Sequence, residues 1–94
     1  MYMELYQLTS KMRIAALEGR WEDVLHLEQT RHTLFQRLET HPEPLGQAQQ
    51  ELISEMLAAT DEISRLAAAH TAELRERLTR DEASQLSAPI VRQG

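Results

Sequence analysis

The sequence predicts an all-α protein, an antiparallel three-helix hairpin or bundle with a long third helix. Three observations predict it. Leu, Ala, Glu, Gln and Arg dominate the composition, and all favour helices. Aromatic residues are 4% of the chain and β-branched residues are sparse, which disfavours strands. Apolar residues recur at steps of three and four along most of the chain, the period of one helix face.

The first stripe is Leu5, Leu8, Met12, Ala15 and Ala16. Gly19 follows it, where a glycine past the last periodic residue stops a helix by adopting a left-handed conformation without strain. Helix 1 is expected at about residues 2–18. The second stripe begins at once with Trp21, Val24, Leu27, Arg31, Leu34 and Leu38, widened by Leu25 and Phe35. Glu22 and Asp23 occupy its first turn, where carboxylates meet the positive end of the helix dipole. Helix 2 is expected at about 21–40, and the very short join makes helices 1 and 2 antiparallel neighbours.

Thr40-His41-Pro42-Glu43-Pro44-Leu45-Gly46 is a loop, because two prolines and a glycine interrupt any helix. Beyond it a stripe runs through Leu52, Met56, Ala59, Ile63, Leu66, His70, Leu74 and Leu78. Asp61–Arg65, Glu73–Arg77 and Glu76–Arg80 place an acid four residues before a base, the favourable order. Helix 3 is expected at about 46–80. The chain divides on this reading into a helical bundle domain, 1–80, and a weakly structured C-terminal tail, 81–94. At 1.5 Å per residue helix 3 spans roughly 50 Å, helix 2 about 30 Å and helix 1 about 25 Å. The shorter helices cannot cover the far half of the third. The stripe Met56, Ile63, Leu66, His70, Leu74 and Leu78 is therefore the expected partner-binding surface, covered by a second copy or by a client protein unless the helix bends back.

Composition excludes several functions. There are no cysteines, which removes disulfides and thiolate metal sites. Net charge is −5. Residues 1–46 carry five basic and seven acidic side chains, and residues 47–94 carry five and eight, so no basic face exists to neutralise nucleic-acid phosphates. No apolar run reaches the length of a membrane span, and Met1-Tyr2-Met3-Glu4-Leu5 lacks the layout of a signal peptide, so a cytoplasmic location is expected. His26, His32, His41 and His70 form no pair at a three- or four-residue step, the spacing a zinc site needs. No metal, cofactor or catalytic residue is assigned. Arg31 is either a buried cation for an anion or a snorkelling side chain whose head meets Glu28 or solvent. Trp21, directly after Gly19, is read as a structural corner residue packed across the helix 1–helix 2 junction.

The junction reads Ala16-Leu17-Glu18-Gly19-Arg20-Trp21-Glu22-Asp23-Val24-Leu25-His26-Leu27-Glu28-Gln29-Thr30-Arg31. It resembles the flagellar export chaperones of the FliT type. The parallels are the Gly19-x-Trp21-Glu22 corner, the Leu27-Glu28-x-x-Arg31 stretch, the Pro42–Pro44 loop and the Leu- and Gln-rich helix from Gln47 onward. The resemblance covers about residues 5–80. It implies a cytoplasmic chaperone that binds the C-terminal segment of the flagellar filament-cap protein before type III export. It further implies contacts with the export ATPase and the export gate, and regulation of gene expression by binding the flagellar transcription activator. The chain departs from the family beyond residue 84. Members often add a fourth helix there with a gate-linked Tyr, whereas Ser84 to Gly94 has no Tyr and carries Pro89, which is expected to limit any helix. Two alternatives stand beside this reading: a generic helical adaptor that homodimerises through helix 3, and a small all-helical enzyme of the chorismate mutase type. The latter's N-terminal pattern fails here, where Arg13-Ile14 is followed by Ala15-Ala16.

Overall fold

The structure, a computed structural model, describes the backbone of residues 1–93 and the side chains of residues 1–84. It contains α1 (Tyr2–Leu17), α2 (Trp21–Thr40) and α3 (Gln47–Gln93), and no strand among the described residues. The longest dimension is 72 Å, which matches 47 helical residues at about 1.5 Å each.

Gly19 ends α1 as the sequence predicts. Its φ is +74°, the left-handed region, and a Cβ there would meet nothing within 4 Å. The Arg20 amide donates to the Ala15 carbonyl (2.8 Å) and the Gly19 amide to Ala16 (3.1 Å), the paired bonds of a Schellman stop. Gly19 is thus required for its backbone and not for space. Gly19→Ala is expected to cost about 1–2 kcal/mol of stability, read by thermal denaturation. A variant as stable as the parent would show that the corner relaxes to another turn.

At the start of α3 the Gln49 side chain reaches back to accept from the Gly46 amide (3.1 Å), half of a capping box. The other end of α3 corrects the sequence reading. The helix expected to stop near residue 80 runs on to Gln93, and Pro89 lies within it. No Gly or Pro occurs between Gln47 and Ala88, so local propensity carries the helix past the point where the apolar stripe ends. Pro89 falls in the last two turns, where the hydrogen bond it removes interrupts little.

The three helices run up, down and up, and their packing is layered. Leu5, Leu34 and Met56 form one apolar cluster, with Tyr6, Leu8, Leu38 and Ile53 against it. Met12, Ala15, Ala16, Val24 and Ile63 form the other, joined by Trp21, Leu27 and Leu66. Between them lies a polar layer of Thr9, Arg31 and Thr60. α1 occupies the middle. It packs against both neighbours, whereas no Cα of α2 lies within 8 Å of one in α3. Small residues at Ala15 and Ala16, both buried, let two helices close on α1 at the corner. Past His70 the bundle ends. Every residue from Thr71 to Ser84 is exposed.

Candidate functional site

Because α1 holds α2 and α3 apart, a furrow opens between them, floored by α1. It has a volume of about 250 Å³. Tyr2, Leu5 and Thr9 form the floor, Phe35 and Leu38 one wall, Ile53, Met56 and Leu57 the other, and Leu45 of the connecting loop closes one end. Three of these apolar side chains lie open to solvent: Phe35 (41% exposed), Leu45 (51%) and Leu57 (66%). Large apolar groups gathered around one concave surface mark a binding site more than scattered ones do.

The inner end of the groove is the polar layer. Arg31 is buried, and its guanidinium is held from three sides. Nη1 donates to Thr9 Oγ1 (3.3 Å) and Thr60 Oγ1 (3.1 Å), and Nη2 donates to Glu28 Oε2 (2.6 Å). The Phe35 ring lies 6.0 Å from Cζ. Nε is buried and has no hydrogen-bond partner. Thr9 meanwhile donates to the Leu5 carbonyl (2.8 Å), within its own helix. Of the two readings of Arg31 from sequence, contact with Glu28 is observed. Snorkelling is corrected: the head stays inside, because hydroxyls from α1 and α3 converge on it. Two exposed cations are raised above their ordinary value by their partners, Arg13 by the Glu62 side chain of α3 (2.7 Å) and Arg20 by Glu18 and then Asp23. They tie helices together and lie outside the groove.

The stripe named from sequence is divided by the structure. Met56 and Ile63 belong to the two core clusters, and Leu66 packs against the second. His70 stacks on Trp21, with ring centroids 5.0 Å apart and planes 19° from parallel. Trp21 therefore packs at the corner as expected and in addition clamps α3. Leu74 (42% exposed) and Leu78 (61%) extend beyond the bundle, uncovered. Phe35, Leu45, Leu57 and Thr60 were missed as groove residues. Leu57 sits one position off the stripe, and Leu45 is the one apolar residue in a proline-rich loop. Both were legible as apolar residues without a place in the predicted core.

Among the described residues no group of three or more His, Asp or Glu side chains is placed to hold a metal ion, and no helix is long and apolar enough to cross a membrane. No curated protein and no solved structure matches the chain. The family model described as flagellar protein FliT matches residues 1–87, which include all three layers of the bundle, the groove and the exposed Leu74–Leu78 pair. The chain belongs to the FliT family of flagellar proteins.

Proposed function

We propose that this protein is a cytoplasmic chaperone of flagellar type III export, which shields an apolar helical segment of the filament-cap protein before secretion. The observation that carries the reading is the groove between α2 and α3, apolar and open, in a chain of this family. An amphipathic client helix laid there would contact both walls and the α1 floor, the helix-in-groove mode. Leu74 and Leu78 are a second apolar contact for the same client. Met56 forms part of the groove wall, and Ile63, Leu66 and His70 hold α3 to the bundle below Leu74 and Leu78. Handover to the export ATPase and export gate and binding of the flagellar transcription activator are further roles the family resemblance supports. Catalysis is not part of this proposal.

A pull-down with the filament-cap protein tests the reading. Leu57→Glu is expected to abolish retention through the groove, and Leu74→Glu with Leu78→Glu to weaken it, while circular dichroism stays close to the parent. All three residues are solvent-facing, so the fold does not depend on them. Retention unaffected by either change would overturn both surfaces. The gain on binding is chiefly apolar area, on the order of 25 cal/mol per Å². Affinity should therefore change little between low and moderate salt, and the heat capacity should fall on binding. An affinity that collapses with salt would point instead to a basic partner on the Glu-rich surface.

A further inference from the structure

We infer that the groove selects a client helix carrying a carboxylate on its apolar face, and that Arg31 and Thr60 are the residues that read it. This rests on the groove reading above and adds the chemistry of the partner. Arg31 is the one charged residue lining the groove. A guanidinium offers a carboxylate two parallel bonds along its Nε and Nη2 edge. Glu28 takes Nη2 alone, and Nε is left buried without an acceptor. Thr60 accepts from Arg31 at the half-buried rim of the groove, whereas Thr9 donates to the Leu5 carbonyl of its own helix. The unused Nε donor thus belongs to a residue that lines the apolar furrow, beside the Thr60 hydroxyl. A buried donor without a partner costs stability, and a ligand that supplies the acceptor recovers it.

The occupant must therefore bring an acceptor. Among protein side chains a carboxylate meets that condition, and its charge suits the guanidinium. Glu28 is 46% exposed, so it can move outward and leave the edge to the incoming group. The remaining walls demand apolar side chains on either side of that carboxylate.

The test uses the full chain and three synthetic amphipathic helices, identical except for one position on the apolar face, which is Glu, Gln or Leu. Calorimetry should rank them Glu, Gln, Leu, with about ten-fold between first and last. Arg31→Lys and Thr60→Val should each shrink the ratio between the Glu and Leu peptides to about three-fold or less. Thr60→Val removes a hydroxyl from a half-buried site and keeps the test sound if Arg31→Lys fails to fold. Equal affinity for the Glu and Leu peptides, or a preference that survives both variants, overturns the inference alone. Binding of none of the three overturns the groove as a helix site and the inference with it. A dimer of the free chain in sedimentation that Leu57→Glu dissolves would make a second copy the occupant, and would also overturn it.

Discussion

Trp21→Ala is expected to lower the stability of the fold by about 3 kcal/mol. The indole is half-buried against the Met12–Ala15–Ala16–Val24–Ile63 cluster and stacked on His70. Its removal takes apolar cover from that cluster and releases the last contact holding α3 to the corner. For a domain of this size the loss lowers the melting temperature by on the order of 15 °C. Trp21→Phe keeps a ring for both contacts and should recover most of the loss. Thermal and urea denaturation followed by circular dichroism read the effect. Unchanged stability together with lost client binding would make Trp21 an anchor for the partner and not a clamp within the fold.

Arg31→Ala should cost a similar amount, about 3 kcal/mol, for a different reason. The change empties the layer between the two apolar clusters and strips Thr9 and Thr60 of their donor. Glu28 contributes little to the loss, because at 46% exposure it regains water when its partner is gone. Arg31→Met fills the space without the charge and should cost only about 1 kcal/mol. A double-mutant cycle with Glu28→Gln should find a coupling of about 1 kcal/mol or less. A larger coupling would show that the ion pair, and not the hydroxyl bonds, holds the layer. If Arg31→Ala proved as stable as the parent, the polar layer would have no part in holding the helices.

The helices themselves were legible because each one's signals agree. Gly19 stops α1, acidic residues open α2, and prolines with Gly46 separate α2 from α3. The stripe positions Leu5, Met12, Val24, Leu34, Met56 and Ile63 are all core residues. Periodicity says which face of a helix is buried but not which helix takes the centre. Thr9, at 1% exposure, shows the difference. It is buried because α1 is flanked on both sides, a fact of packing that no local pattern encodes. The Arg31 layer and the Trp21–His70 stack join residues 22 to 49 positions apart, so they too lay beyond the reach of a helical repeat. The end of α3 failed for the opposite reason. Amphipathic periodicity detects packed helix, and the described side chains after His70, Thr71 to Ser84, are all exposed.

The absence of any close approach between the α2 and α3 backbones has a mechanical meaning. In a bundle where every helix touches every other, widening one furrow breaks a third interface. Here α1 acts as a spine, and α2 and α3 are two jaws hinged on it. Among the described residues the Arg31–Thr60 bond at mid-height and the Trp21–His70 stack at the corner span the gap, alongside the two apolar clusters. Bond and stack both lie on one side of the opening, so spreading the jaw tips at Leu38 and Ile53 costs side-chain contacts with the Leu5–Leu34–Met56 cluster but separates no pair of packed backbones. Such a calliper can fit its span to helices of different girth. A rigid slot would be tuned to one.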